Sequence, residues 1–441
     1  MKYKDLTVVV GLGFVGLTFG LTLSQHRRVL GVDNNSFLVQ SLQSMKPTFH
    51  EPGLGKLLAE SVQAGRFKVS SSMPSEPVDT LIITVGTPMG ANMDDILSGV
   101  YSAVASATSC IGPDTLVILR STVHIGTTVK LRKTLSEKLG FRPLVVFAPE
   151  RTVEGKALVE LLALPQIVGA DDEESWNRAQ SLFEQMGVLK IVRTLGSAEA
   201  EFSKLIGNAY RDTFFGFANE IAFLASQYGL DAHDAIRAAN EDYPRNHIAA
   251  PGITAGPCLE KDSLFLINAS KTNGSIIQSA RTVNEEQPLK FLNAVLGETF
   301  KQTPKKFKEL RALIVGLAFK GTPETSDIRG SFAPKIARWL RTLSGLPFDQ
   351  IHGFDPLVDV EPSSLNLDKV VNDLTIEEYD LVIIQHKGTS VQGLIQKLET
   401  RGPASHPIIV DYWNSFSNSR PHIYVFGKSI EGRGLIDQQF K

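Results

Sequence analysis

Leu6-Thr7-Val8-Val9-Val10-Gly11-Leu12-Gly13-Phe14-Val15-Gly16, followed by Arg28-Val29-Leu30-Gly31-Val32-Asp33, decides how the first half of this chain folds. A β-branched run stopping at a glycine predicts a buried strand and a tight turn, and the residues after Gly13 open a helix. In G-x-G-x-x-G the first glycine permits the turn and the second lets backbone approach a pyrophosphate at the helix N-terminus. The third allows close packing of helix on strand. Asp33 ends the next strand about 20 residues on, where a carboxylate accepts hydrogen bonds from a ribose diol. It also repels a 2′-phosphate, and Asn34 and Asn35 bring no positive charge to offset this, so NAD is expected over NADP. Gly11, Gly13, Phe14, Val15, Gly16 and Asp33 are the expected cofactor-binding group. The alternatives are a plain packing turn, or a site for FAD or another nucleotide.

Outward from this loop, β-branched runs at 28–32, 80–85, 115–119 and 144–147 alternate with helical patterns at 15–25, 54–64, 96–108 and 127–139. Such alternation predicts a parallel sheet covered on both faces, and elements near 166–169, 175–186 and 190–192 extend it. Residues 198–228 run without proline and are apolar nearly all round, which predicts one long helix buried by spanning two domains or by packing against a second subunit. Further helices are expected at 232–240 and 275–286. A second α/β unit begins near Phe307, with strands at 311–315, 351–354, 381–385 and 408–411 and helices at 333–343 and 391–398. The lysine-rich stretch 301–308, broken by Pro304, is a natural boundary, and no short repeat is visible. The fold expected is α/β: two Rossmann-like, doubly wound parallel-sheet domains, residues 1–196 and 301–441, joined by a helical central domain, 197–300, that carries the long connecting helix.

The 441 residues are too many for one ordinary core. With 42% hydrophobic and 21% charged residues, a net charge of -2 and a pI near 6.5, electrostatics gives no case for nucleic acid or an anionic membrane. No apolar run approaches the ~18 residues of a membrane span, and the first residues lack a cleavable signal pattern. Two cysteines, Cys110 and Cys258, exclude a disulfide framework. A cytoplasmic location and no metal are expected.

Three further stretches carry chemistry. Gly86-Thr87-Pro88 and Ser121-Thr122-Val123 each follow a predicted strand, where loops line a ligand crevice or merely turn the chain. Pro149-Glu150-Arg151-Thr152-Val153-Glu154-Gly155 also follows a strand; its carboxylates either orient a water or sugar hydroxyl or stabilise a helix N-terminus. Lys204 and Asn208 stand four apart on the long helix, which puts an ammonium and an amide on one face. Cys258, in Gly256-Pro257-Cys258-Leu259-Glu260-Lys261-Asp262, follows a flexible loop, with Lys261 beside it and Asp262 one helical turn on. A dehydrogenase that moves one hydride has no need of a thiol. One that carries an alcohol through an aldehyde to an acid does, because a thiolate traps the aldehyde. The competing reading of Cys258 is a small buried hydrophobe.

Taken in order, these motifs, with Glu201–Ala222 and Gly316-Leu317-Ala318-Phe319-Lys320-Gly321 through Asp327-Ile328-Arg329-Gly330-Ser331, resemble the nucleotide-sugar 6-dehydrogenase family over nearly the whole chain. That resemblance implies oxidation of C6 of a UDP-hexose to a carboxylate with two NAD per sugar, for polysaccharide precursor synthesis. It implies that Cys258 forms the thiohemiacetal and thioester, that Lys204 and Asn208 stabilise oxyanions, and that Asp262, Thr122 and Glu154 position water or assist proton transfer. Such an oxyanion donor is worth ~3–4 kcal/mol, and which group is the general base is left open. It also implies cofactor contacts from Thr87, Ser121, Thr122, Glu154, Lys261 and Arg329. Substrate contacts are implied for Glu150, Arg151, Lys204, Asn208, Arg245, Gly252, Phe319 and Lys320. The long helix matches the connecting helix at which family members dimerise, so a homodimer or higher homo-oligomer is expected. Arg151 and Tyr243-Pro244-Arg245 resemble the N-acetylhexosamine branch, whereas the Lys261-Asp262 pair is reminiscent of the UDP-glucose branch. The expectation is a UDP-N-acetylhexosamine substrate. The alternatives are UDP-glucose, a two-electron dehydrogenase of the 6-phosphogluconate type, or a nucleotide-sugar binder without catalysis.

Overall fold

The computed structural model describes residues 5–87, 93–270, 275–300, 310–342, 348–372, 378–400, 407–416, 420 and 422–428. The expected boundary at 301–308, with Lys305, Lys306 and Lys308, lies outside the described residues, as does Pro88. The chain divides into two compact units, Met1–Gly207 and Asn208–Lys441.

In the first unit the order is β1 (Leu6–Val10), α1 (Phe14–Leu23), β2 (Arg28–Val32), α2 (Ser36–Gln43), α3 (Leu54–Gln63), β3 (Phe67–Ser70), β4 (Thr80–Ile83) and α4 (Met93–Ser106). There follow β5 (Leu116–Leu119), α5 (Thr127–Leu139), β6 (Leu144–Phe147), α6 (Ala157–Ala163), β7 (Gln166–Ala170), α7 (Glu173–Gln185), β8 (Ile191–Arg193) and the start of α8 (Ser197–Gln227). The strands form one sheet in the order β3-β2-β1-β4-β5-β6-β7-β8. Alternate residues feed two cores: Val9, Ile82, Ile118 and Val146 on one face, Val8, Leu81, Val117 and Val145 on the other. Each fully buried side chain of this kind contributes about 1.5–3 kcal/mol. The parallel expectation holds from β3 to β6. β7, however, pairs with β6 antiparallel, and β8 pairs with β7 parallel. The connection between β6 and β7 holds only the seven-residue α6, and an antiparallel neighbour does not need the full crossover helix that a parallel one does.

The second unit takes the rest of α8, then α9 (Ala232–Asn240), α10 (Pro257–Ala269), α11 (Ile276–Phe300), β9 (Leu310–Val315), α12 (Ala333–Thr342) and β10 (Phe348–Phe354). It ends with β11 (Lys369–Val370), β12 (Leu381–Ile384), α13 (Thr389–Thr400), β13 (Ile408–Asp411) and β14 (Ile423–Val425). Its sheet, β11-β10-β9-β12-β13-β14, is parallel throughout. The helix expected at 275–286 runs on to Phe300 through Pro288, whose carbonyl accepts a 2.7 Å bond from the buried Tyr412 hydroxyl. A proline reads as a helix stop, and packing overrides it here.

A repeat that no short string betrays appears at this level. The order β3-β2-β1-β4-β5-β6 is matched strand for strand by the second sheet. Gly11 and Gly316, at φ 91° and 85°, turn the chain after β1 and β9. The Asp33 carboxylate accepts from Leu12 N–H at 2.7 Å, and that of Asp355 accepts from Leu317 N–H at 2.9 Å.

Candidate active site

The glycine loop of the first unit does what its spacing requires. A Cβ on Gly11 would lie 3.0 Å from the Val85 backbone, and one on Gly16 only 1.8 Å from the Gly11 carbonyl oxygen, so both positions admit glycine alone. At Gly13 a Cβ would meet nothing within 4 Å. Protein packing therefore gives no reason for that glycine, whereas close approach of a ligand does. Gly13 is exposed and caps α1 without a side-chain bond, leaving the helix N-terminus open to an anion, and Phe14 and Val15 form its first turn. Asp33 also accepts from Asn35 N–H at 2.9 Å, and the Asn35 side chain caps α2. These residues fit NAD.

The loops after β4 and β5 are bound to each other. The Thr87 hydroxyl donates to the Thr122 carbonyl at 2.9 Å, and the Ser121 hydroxyl donates to the Val85 carbonyl at 2.7 Å. Glu201, fully buried on α8, accepts from Gly126 N–H at 2.5 Å and from the Thr128 N–H and hydroxyl at 2.7 and 2.6 Å. It thus pins the N-terminus of α5, four residues beyond Thr122. Burial pushes its carboxyl above the ordinary range even against those bonds.

The loop after β6 is held by two acids. Glu150, buried, accepts from Arg120 Nη2 at 2.6 Å and from the N–H groups of Arg151 and Thr152 at 2.7 and 2.8 Å. Burial raises its carboxyl, but the Arg120 guanidinium and the backbone donors outweigh that and hold it below the ordinary range. Glu51, also buried, accepts from Gly155 and Ala157 N–H at 2.6 and 2.8 Å, flanking the half-buried Glu154. Arg151 is exposed and donates to the Pro165 carbonyl at 3.1 Å. Arg120, Glu51 and Glu201 hold these loops and were not singled out from the sequence, because their partners are backbone groups or residues far along the chain.

Lys204 is half-buried on α8, one helical turn before Asn208. In the second unit Asn208 Nδ2 donates to the fully buried Asp262 carboxylate at 2.6 Å, which ties α8 to α10. Pro257 opens α10, so Cys258 lies in its first turn, exposed, with Asp262 one turn on along the same face. Backbone N–H groups at a helix start favour the anionic form of a thiol. Lys261 Nζ stands 4.0 Å from Asp262 Oδ1. The other cysteine, Cys110, is buried, bonds the Pro74 carbonyl at 3.1 Å, and has its thiol pushed up by burial.

The cysteine loop leans on the second glycine turn. Gly256, at φ 109°, donates its N–H to the Gly330 carbonyl at 2.9 Å, and a Cβ on it would strike the Phe319 ring at 2.8 Å. Lys320 Nζ lies 5.5 Å from the Phe319 ring centre. Gly252 donates to Asn219 Oδ1 at 2.9 Å and packs against the Trp413 ring. The Arg329 Nε donates to both Asp327 oxygens, at 3.0 and 2.9 Å. Arg245 is exposed on the loop after α9, its guanidinium 4.8 Å from the Tyr243 ring centre. Within the second unit the structure therefore brings together Asn208, Lys261 and Asp262, and Gly256 with Phe319. Arg329, exposed, sits next to Gly330, whose carbonyl Gly256 bonds, and Arg245 is an exposed group on its loop.

Comparison with known proteins agrees. Residues 6–187 match the NAD binding domain of the UDP-glucose/GDP-mannose dehydrogenase family, and residues 198–286 match its central domain. The chain is 33% identical over 438 residues to the UDP-N-acetyl-D-mannosamine dehydrogenase of Pyrococcus horikoshii, covering 98% of this chain and 96% of that one. It is 31% identical over 400 residues to the enzyme of the same name from Escherichia coli strain K12, covering 86% and 91%. The solved UDP-D-ManNAc dehydrogenase of Pyrococcus horikoshii superposes with a TM-score of 0.83 at 28% identity, covering 96% of this chain and all of that one. No helix among the described residues is long and apolar enough to cross a membrane. With the glycine loop, the two matching sheets and a thiol in the first turn of α10, this chain belongs to the UDP-glucose/GDP-mannose dehydrogenase family, as an NAD-dependent nucleotide-sugar dehydrogenase.

Proposed function

We propose that the protein oxidises the C6 hydroxyl of a UDP-N-acetylhexosamine to a carboxylate, using two NAD per sugar. The observation that carries this reading is the exposed Cys258 thiol at the start of α10, with Asp262 one turn away and held by Asn208 at 2.6 Å. The names of the relatives support the N-acetylhexosamine class. When bound in the glycine loop, NAD would supply the hydride acceptor for each oxidation. The first oxidation removes a hydride from C6 and a proton from its hydroxyl, leaving an aldehyde. The Cys258 thiolate adds to that carbonyl carbon and the oxygen takes up a proton, giving a thiohemiacetal. Loss of a second hydride and of the hydroxyl proton leaves a thioester. Water then adds and the C–S bond breaks, which releases the acid and restores the thiol. Lys204 and Asn208 stabilise the charged oxygens, Asp262, Thr122 and Glu154 order the water and the proton, and Phe319, Lys320, Arg245, Arg151, Glu150 and Gly252 serve the substrate.

The same reading takes Gly11, Gly13, Phe14, Val15, Gly16, Asp33, Thr87, Ser121, Lys261 and Arg329 as NAD contacts. The Asp33 carboxylate supports NAD over NADP, since its charge opposes a 2′-phosphate. It divides the chain at 1–196, 197–300 and 301–441, and takes the protein to be a cytoplasmic homodimer. Phe202, Ile206, Tyr210, Phe217 and Leu224 support the dimer, forming an apolar row on α8 that is 41–67% exposed. The retained Lys261-Asp262 pair favours UDP-glucose as the second candidate. Purified protein given NAD and a panel of UDP-glucose, UDP-galactose and UDP-N-acetylhexosamines should make acid fastest from an N-acetylhexosamine. Faster turnover of UDP-glucose would reverse the assignment.

A further inference from the structure

α8 carries a buried polar row as well as its apolar one, and that row reaches the chain on both sides of Cys258. Asp212, fully buried, accepts from the Ser263 hydroxyl on α10 at 2.8 Å through Oδ2. Its Oδ1 accepts from Arg281 Nη1 and Asn284 Nδ2 on α11, both at 2.8 Å. Asn284 Oδ1 in turn accepts from Asn219 Nδ2 at 2.9 Å and from the Thr254 hydroxyl at 3.2 Å. Asn219 Oδ1 closes the path by accepting from Gly252 N–H at 2.9 Å. The bonds thus run from Ser263, five residues after the thiol, to Thr254 and Gly252, four and six residues before it. A helix pair needs no such network to stay packed, since well-fitted apolar groups hold helices at no desolvation cost. What these buried bonds add is a single geometry, although Arg281 Nε itself makes no hydrogen bond and faces Glu285 Oε1 at 3.6 Å.

We propose that Asp212 and Asn284 are positioning residues that fix the Cys258 thiol and Asp262 against α8. Both act through protein partners, setting where α10 and the loop before it stand. The inference rests on Cys258 being the reacting thiol. A displacement of about 1 Å at a reacting group can cost ~100-fold in rate.

The test uses the full chain with Asn284→Ala, Ser263→Ala and Ser263→Thr. It reads the rate of Cys258 alkylation by iodoacetamide without sugar, kcat and KM with NAD and the preferred UDP-sugar, and thermal melting. Cys258→Ser corrects for any reaction at the buried Cys110. Asn284→Ala should change the alkylation rate at least ~5-fold and lower kcat at least ~10-fold, with KM for either substrate within about twofold. Ser263→Ala, which removes a single hydroxyl, should move both in the same direction by less, and Ser263→Thr should restore them. Alkylation and kcat within twofold of wild type in folded variants, even with lower melting temperatures, would reduce the network to a structural brace and overturn the proposal. So would a fall in kcat with alkylation unchanged. Because alkylation needs no sugar, a wild-type protein that ignores every UDP-sugar counts against the proposed reaction and leaves the positioning test standing.

Discussion

Glu150 shows how much a single residue's surroundings constrain it. From sequence its carboxylate either orients a water or sugar hydroxyl or stabilises a helix N-terminus. In the fold, Arg120 and two backbone N–H groups bind it, and the Arg120 guanidinium lies 4.2 Å from the Phe19 ring centre. Breaking a buried pair of this kind typically costs about 3–5 kcal/mol, so Glu150→Gln should melt well below wild type at neutral pH. The pH dependence has a definite sign. A carboxyl held below its unfolded value of about 4.3 contributes stability that is complete above that pH and lost as pH falls through the folded value. Thermal melts of both proteins from pH 3 to 8 should therefore show the gap narrowing at the acid end; a gap of constant size would contradict the account. By contrast, the placements of Asp33, directly after β2, and of Cys258, in the first turn of α10, follow from locally defined elements.

At the scale of elements, the glycine turn separates folding from function within six residues. Gly13→Val places its Cβ where no protein atom stands within 4 Å, at a backbone angle of φ -67° that any residue adopts. It should melt close to wild type and weaken NAD binding at least ~10-fold, about 1.4 kcal/mol. Gly16→Val forces a Cβ onto the Gly11 carbonyl and should fail to fold properly. Calorimetry of NAD binding and circular dichroism melts separate the two. Equal loss of binding and stability in Gly13→Val would show that the turn serves packing alone.

α8 marks the limit of what this scale reveals to a sequence reader. Its span was predictable within a residue or two, since some thirty positions run without proline and carry apolar residues nearly all round. Its division into an apolar exposed row and the polar row Glu201, Asn208, Asp212 and Asn219 was not. Their partners, at Thr128, Asp262, Ser263 and Gly252, come from other elements.

For the whole molecule, two sheets of matching strand order carry different loops, Gly11-Leu12-Gly13-Phe14-Val15-Gly16 and Gly316-Leu317-Ala318-Phe319-Lys320-Gly321. In the second, Asp355 is 3% exposed, and His386 Nε2 bonds it at 3.2 Å, so it has no free edge for a ribose diol. NAD titration should therefore give one equivalent per chain. Two Rossmann-like sheets were expected from the alternation of elements; their identical strand order was not, because strand order is a property of pairing and the turns share only scattered identities. The antiparallel β7 escaped the sequence for the same reason. Assembly belongs to this scale too. Ile206→Glu with Tyr210→Glu should shift the protein to monomers in sedimentation, whereas an unchanged sedimentation coefficient would place any interface elsewhere on the surface. The most direct test of the central claim is the count of NADH released per molecule of UDP-N-acetylhexosamine consumed, for wild type and for Cys258→Ser. Two NADH with a uronic acid product from wild type, and no acid from the serine variant, is the predicted result. One NADH with an aldehyde as final product, or undiminished acid formation without the thiol, would contradict it.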